Sequence, residues 1–334
     1  MTGHDIIVIG ASAGGVEPLQ ELARGLPPDL PAAVFVVLHV PPSSSSILPR
    51  ILSNSGPLPA HHAINGEAIE HGRIYIAPPD YHLLVERDRV RVARGPRENR
   101  ARPAADPLFR SAAYAYGTRV VGVILSGALD DGTAGLAAIK RRGGVTVAQD
   151  PDEALYPGMP RSAMQNVALD HCLPVAGIAP LLARLASLPA KDDAVYPVPE
   201  ILKVETSISR LEESEMEDVE KIGELSAFTC PECRGALWEL RDGDLSRFRC
   251  HVGHAFSAES LMAEQSEELE NALWAALRSL EENAALARRM AARASEHNHT
   301  ISVMQFEENA RQVEQHAAVI RQLLHQNEKA SVDE

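Results

Sequence analysis

Five short apolar runs punctuate the first 190 residues, at 5–9, 33–39, 73–77, 120–125 and 144–148. They are continuous rather than alternating, the pattern of strands covered on both faces. Among them lie stretches with helical apolar spacing, at 17–25, 107–116, 134–142, 160–166 and 178–188. This rhythm predicts an α/β fold, a doubly wound, mostly parallel sheet between two helical layers. One segment departs from it: in 82–94, Leu83, Val85, Val90 and Val92 alternate about an Arg87-Asp88 turn, which predicts an inserted hairpin.

Beyond residue 190 the pattern changes three times. Residues 191–225 turn to Pro, Asp, Glu and Lys and read as an acidic linker, partly helical over 209–222. A small Cys-rich module follows at 226–258. Long amphipathic helices are expected over 259–330, where Val303, Phe306, Ala310, Val313, Ala317, Ile320 and Leu324 form a heptad-like seam. Leu269, Leu273, Leu277, Leu280, Ala284 and Ala287 form a matching stripe, so the two predict a helical hairpin, with pairing to a helical partner as the other use of such a seam.

Composition narrows the function classes. The chain has 334 residues, 45% of them hydrophobic, with a mean hydropathy of −0.13. No apolar run approaches the ~18 residues of a membrane span and the start has no signal-peptide pattern, so a cytoplasmic protein without membrane insertion is expected. Residues 1–190 hold 17 basic and 17 acidic side chains, which leaves the whole net charge of −14 to the C-terminal part. Such a surface repels nucleic acid and suits protein partners.

The chemistry is written at strand ends. The first run breaks into Gly10-Ala11-Ser12-Ala13-Gly14-Gly15 before a helix, a tight turn that leaves the Ser12 hydroxyl exposed. The loop partly satisfies G-x-G-x-x-G, yet Ser12 stands where that fingerprint needs its second glycine. His39 also ends the second strand, where a ribose-binding acid belongs. A nucleophile fits the loop better than a nucleotide. The strand 120–125 runs into Ser126-Gly127-Ala128-Leu129-Asp130-Asp131-Gly132, where Asp131 reads either as a helix cap or as the acid of a triad. A Ser, a His and an Asp at three strand ends of one sheet favour the triad.

Six ordered motifs then carry a resemblance over residues 4–188: Gly10 to Gly15, His39-Val40-Pro41-Pro42, Tyr75-Ile76-Ala77-Pro78, Asn99-Arg100-Ala101-Arg102-Pro103, Leu125-Ser126-Gly127 with Asp131-Gly132, and Gly158-Met159-Pro160-Arg161. In this order they resemble the catalytic domain of chemotaxis protein-glutamate methylesterases, the CheB family, a three-layer α/β sandwich. The resemblance implies Ser12 as nucleophile, His39 as base and Asp131 as the acid that orients it, with no cofactor for catalysis. It implies removal of methyl esters from glutamates, and deamidation of glutamine, on a chemoreceptor-like methylated helical protein served by a methyltransferase or kinase system. The amides at Ala13 or Ala128 are the expected oxyanion donors, and Arg100, Arg102 and Arg161 are expected to attract a carboxylate-rich substrate. Ala128 stands where the family usually has methionine. Only four residues precede the first strand, so the family's receiver domain, and control through it, are not expected in this chain. A signalling scaffold without turnover is the alternative reading.

The Cys-rich module carries its own signal. Cys230-Pro231-Glu232-Cys233 and Cys250-His251-Val252-Gly253-His254 give C-x2-C, a 16-residue gap and C-x3-H, the spacing of a zinc-ribbon-like knuckle pair. Cys230, Cys233, Cys250 and His254 are the expected ligands of a structural zinc, with His251 pointing away and Trp238 and Phe248 covering a small core. Cys172 reads as a small buried hydrophobe. With a polar linker between, metal loss is expected to leave the chemistry of the α/β domain intact.

Overall fold

The computed structural model describes residues 3–43, 46–211 and 217–332. Its first half runs β1 (Ile6–Ala11), α1 (Val16–Gly25), β2 (Ala33–Leu38), α2 (Leu48–Ser55), β3 (Ala60–His62), β4 (Ile74–Ile76), β5 (His82–Glu86), β6 (Arg89–Ala93) and α3 (Ala105–Tyr116). It continues through β7 (Val120–Ile124), α4 (Thr133–Arg141), β8 (Val145–Gln149), α5 (Gly158–Asn166), β9 (His171–Leu173) and α6 (Val175–Ser187). All five predicted strands lie in one seven-stranded parallel sheet of order β3-β4-β2-β1-β7-β8-β9, and β5 pairs β6 as the inserted hairpin. Strand order reverses between β1 and β7, so the carboxyl ends of β2, β1 and β7 flank the crevice where such sheets place their sites.

The continuous apolar runs are explained by the two faces. Ile6 and Val8 point into a cluster with Leu108 and Phe109 of α3 and Leu136 of α4, whereas Ile7 and Ile9 point into one with Leu19 and Leu22 of α1 and Leu182 of α6. Both faces of β1 are buried, at about 1.5–3 kcal/mol for each large side chain. Edge strands β3 and β9 lack an apolar run because an edge buries less. There Cys172 is exposed, which corrects its reading as a buried residue.

The C-terminal half adds α7 (Glu200–Ser209), α8 (Glu217–Ile222), β10 (Gly223–Thr229), β11 (Ala236–Leu240), β12 (Arg247–Cys250), β13 (Ala255–Ser257), α9 (Ala258–Glu296) and α10 (Thr300–Val332). Strands β10 to β13 form an antiparallel sheet in that order. Within 191–225, read from composition as a linker, α7 docks on the α/β layer: Leu202 joins the cluster of Phe109, and Val204 and Ile208 pack with Val219, Ile222, Trp238 and Leu240. Composition hides this helix because its buried members include Glu205, Thr206 and Ser209. Of the helix expected over 209–222, α8 is the end, and 212–216 lie outside the described residues.

Met1–Leu261 form one compact unit and Met262–Glu334 a second. In the second, Leu277, Ala317 and Leu324 pack with Leu273, Leu280 and Ile320, and Arg288 pairs Glu314 at 2.6 Å, so the seam is used within the hairpin. Leu269 lies beyond it, exposed. Among the described residues no helix is long and apolar enough to cross a membrane.

A buried ion network joins the β10–β13 sheet to the α/β layer. Arg110 of α3 donates to Glu98 at 2.6 Å. Arg249 of β12 donates to Glu98 at 3.1 Å and to Glu205 of α7 at 2.7 Å. Arg247 donates to Glu205 at 2.6 and 3.0 Å and to Asp242 at 2.6 Å. Three arginines thus meet three carboxylates, all six residues at most 5% exposed. Burial alone would push the Glu205 carboxyl up, but Arg110, Arg247 and Arg249 outweigh it and hold it well below the usual range. Removing one member leaves charges buried without partners. Glu205→Ala is expected to lower unfolding free energy by about 3–5 kcal/mol. Urea denaturation checks this, and an unchanged midpoint would mean that the arginines find other partners.

Candidate active site

Ser12 and His39 follow the ends of neighbouring parallel strands. Ala11 is opposite Leu38, so the next residues emerge side by side, one strand spacing of about 4.8 Å apart. The His39 amide donates to the Ala11 carbonyl at 3.1 Å, and the Ser12 amide donates to the Ser126 carbonyl at 2.9 Å, which clamps the turn to β7. The Ser126 hydroxyl donates to the Ala13 carbonyl at 2.8 Å and accepts the Tyr156 amide at 3.0 Å, while its own amide is held by Gln149 at 2.9 Å. Two glycines make the room. Gly14 has φ +65°, and a Cβ at Gly127 would lie 2.0 Å from the Met159 sulfur and 2.9 Å from the Ser12 Cβ.

Asp131 sits beyond β7, 2% exposed. Its carboxylate accepts His39 Nε2 at 2.7 Å, the Ala105 amide at 2.6 Å, Asn99 Nδ2 at 3.0 Å and the Asp106 amide at 3.3 Å. Ala105 and Asp106 open α3, so the charge also meets the positive end of a helix. Burial pushes this carboxyl up, but the hydrogen bond and charge of His39, the Ala105 amide and Asn99 hold it below the usual range. Because Nε2 is committed to Asp131, Nδ1 is the His39 nitrogen left for another partner. Asp131 does not cap α4, whose N-cap is Gly132 without a side-chain hydrogen bond.

Sequence reasoning passed over two further residues. Asp106 shares Asn99 with Asp131, accepting its Nδ2 at 2.9 Å, and burial together with the Asp131 charge pushes it up to about 7. Asn99 was legible only as part of a motif. Next to Asp131, Asp130 accepts the Ser257 hydroxyl at 2.6 Å, and burial pushes it up to about 6.

The other predicted positions separate. Arg102 donates to Asp80 at 2.6 and 2.9 Å and to the Gly95 carbonyl at 2.7 Å. Arg161 is exposed near the start of α5, and Arg100 is half-buried with φ +68°. Among the described residues no protein acceptor takes the Ala13 or Ala128 amide, and Ala128 is exposed beside Gly127.

Cys230, Cys233, Cys250 and His254 are brought together, their ligand atoms all within 4.8 Å of one another, a group able to hold a metal ion. His251 instead packs edge-on against Trp238, ring centroids 3.9 Å apart. Phe248 lies in the core of this knot with Leu237, Phe256 and Leu261, while Trp238 faces α7 and α8.

The sequence profile described as CheB methylesterase matches residues 7–182. The chain is 42% identical over 188 residues to protein-glutamate methylesterase/protein-glutamine glutaminase 5 of Anaeromyxobacter dehalogenans, covering 55% of this chain and 52% of that one. A Leptospira interrogans protein is 39% identical over 183 residues, 54% of this chain and 95% of its own length. The chain thus spans about half of the first relative and nearly all of the second. Among solved structures, the CheB methylesterase catalytic domain of Thermotoga maritima matches with a TM-score of 0.53 and 34% identity, over 55% of this chain and 100% of that one.

Asp106 sets a pH dependence of stability. A carboxyl raised by folding keeps its proton where the unfolded chain has lost it, so stability falls as pH rises from about 4 to about 7. Denaturant midpoints measured from pH 5 to 8 should fall more steeply for the wild type than for Asp106→Asn, whose remaining slope combines the raised Asp130 with the opposing contribution of His4 and His82, both lowered by burial. Equal slopes would remove Asp106 as the source.

Proposed function

Because the chain belongs to the CheB methylesterase family through residues 7–182, we propose that Ser12, His39 and Asp131 hydrolyse the γ-methyl esters of glutamyl side chains on a methylated helical receptor. Glutamine deamidation is the parallel reaction, with ammonia leaving instead of methanol. The observation that carries this reading is the 2.7 Å bond between His39 and buried Asp131, one strand spacing from Ser12. The scaffold alternative has no comparable support, since a binding surface does not need an ionised carboxylate held by four donors.

In the proposed reaction Ser12 Oγ attacks the ester carbonyl carbon as its proton passes to His39 Nδ1. The negative charge that builds on the carbonyl oxygen is met by the Ala13 or Ala128 amide, a contribution of about 10²- to 10³-fold per donor. The tetrahedral intermediate expels the methoxy oxygen, which takes the proton from His39 and leaves as methanol. Water, deprotonated by His39, then attacks the glutamyl ester of Ser12, releasing the free carboxylate and restoring the hydroxyl. Asp131 stabilises the imidazolium and fixes the tautomer throughout. Arg100, Arg102 and Arg161 are the arginines assigned to a carboxylate-rich substrate. The proposed setting is cytoplasmic, alongside a methyltransferase or kinase system that serves the same receptor.

Methanol release from a methylated receptor is the measurement. Ser12→Ala and His39→Ala should each abolish nearly all of it, and the double variant should be little worse, because nucleophile and base act as one unit. Asp131→Asn should lower kcat by about 10⁴-fold. Wild-type turnover in Asp131→Asn together with an inactive Asp130→Asn would move the acid by one residue.

The knot is assigned a structural zinc. Three of its six ligand-to-ligand distances, 3.6, 3.6 and 3.8 Å, fit the edges of a tetrahedron with zinc–sulfur bonds of about 2.3 Å, which are about 3.8 Å long, and all six lie within 4.8 Å. With three thiolates and an imidazole, all four positions are filled by protein, so the ion supplies stability rather than a site for substrate. Elemental analysis of protein purified without chelator should give one zinc per chain, lost in Cys230→Ser/Cys233→Ser. A chain that carries none would remove the assignment.

A further inference from the structure

The knot meets the Ser12 site through the loop around Asn99, and through Ser257, which donates to Asp130 beside Asp131. The Asn99 amide donates to the Ala255 carbonyl at 2.8 Å and the Ala255 amide to the Arg97 carbonyl at 3.3 Å, while Glu98 between them is gripped by Arg249. The Asn99 side chain then faces both ways. Its Nδ2 donates to Asp131 and Asp106, and its Oδ1 accepts the Ser257 amide at 2.9 Å and the Ser260 hydroxyl at 3.1 Å. Two donors and two acceptors exhaust what a carboxamide offers, so the group has one orientation. Turned over, it would set an oxygen against two carboxylates and a donor against two donors.

Everything that Oδ1 touches belongs to the hairpin that carries two of the four metal ligands, or to the first turn of the helix it leads into. Cys250 ends β12, His254 precedes β13, and the Cys250 amide closes the turn onto the His254 carbonyl at 3.0 Å. Ser257 ends β13 and caps α9, accepting the Ser260 amide at 3.0 Å while donating to Asp130. The hydrophobic core under this turn is small, centred on Leu237, Phe248, Phe256 and Leu261. A metal at the four ligands would reinforce a core of this size. The expectation that metal loss spares the chemistry rested on a linker, and within that stretch α7 is docked on the α/β layer.

We propose that Asn99 is a positioning residue through which the metal-loaded hairpin fixes the Asp131 carboxylate against His39, so that turnover at Ser12 follows occupancy of the Cys3His site. This rests on the proposed function only for the identity of the reacting residues. When the hairpin loosens, water replaces the Ser257 and Ser260 donors, the carboxamide is free to rotate, and Asp131 loses the donor that sets its tilt.

The test uses the full chain loaded with zinc and a small acyl ester, with Ser12→Ala as the blank. Withdrawing zinc with a chelator, verified by elemental analysis, should lower kcat by about 10- to 100-fold, the scale of a displacement of about 1 Å in a reacting group, with KM within about twofold. Zinc added back should restore it. Ser260→Ala, which removes one hydroxyl from a helix that tolerates alanine, should lower kcat by about fivefold, the worth of one hydrogen bond. In Asn99→Ser, zinc withdrawal should cost no further activity, because both changes break the same link. A second readout does not need turnover: the downfield imidazole proton of the His39–Asp131 bond, identified by its loss in His39→Gln, should shift or broaden on zinc withdrawal. Zinc-free protein with wild-type kcat, or with that proton unmoved, overturns the proposal. If no ester is turned over but the proton moves with zinc, the coupling stands and the esterase reading fails.

Discussion

A carboxylate that must stay ionised while 2% exposed is the constraint around which this molecule is arranged. An unpaired charge at the Asp131 position would cost several kcal/mol, so the fold surrounds it with donors from separate parts of the chain. His39 comes from the end of β2, the Ala105 and Asp106 amides from the start of α3, and Asn99 from the loop before it. The approach of α3 is close enough that a Cβ at Gly10 would lie 2.7 Å from the Ala105 Cβ, so the glycine of β1 serves the acid as much as the serine turn. Parallel register does the rest by setting Ser12 beside His39.

The same physics recurs at larger scale in the interior beneath the Asn99 loop. Glu98, Glu205 and Asp242 are compensated by Arg110, Arg247 and Arg249, and the groups come from α3, α7 and β12 as well as from loops. Such a network adds little net stability compared with a hydrophobic core of the same volume, but it tolerates no missing member. It fixes which surfaces meet. The contact between the Cys-rich sheet and the α/β layer is therefore specified by charge matching, with small apolar clusters on either side of it.

How much of this was legible in the sequence depends on whether the signal was local. The five strands, the helices α1 and α3 to α6 and the hairpin were legible because burial on two faces, or on one, writes its period directly into neighbouring residues, whereas the short α2 was not predicted. Ser12, His39 and Asp131 stood out because each follows an apolar run at a turn built of small residues. Asn99 did not, since its role comes from groups 7, 32, 158 and 161 residues away. The helix α7 was hidden for a related reason: a buried Glu205 looks solvated until the arginines that neutralise it are known. The partner of Arg102 was equally out of sight, because Asp80 lies 22 residues earlier.

The unit that folds and the unit that is shared have different borders. The family match ends at residue 182, whereas the compact unit runs to Leu261. Arg110 lies inside the shared stretch, yet it is balanced by Glu98 within that stretch and by Glu205 outside it, the latter 3.9 Å from its Nε. An interior position of the common domain is thus already fitted to a helix that lies past its border. A cassette excised at the border of the likeness would carry with it a charge ledger that no longer closes, and a relative's domain grafted onto this tail would have to bring an arginine of its own.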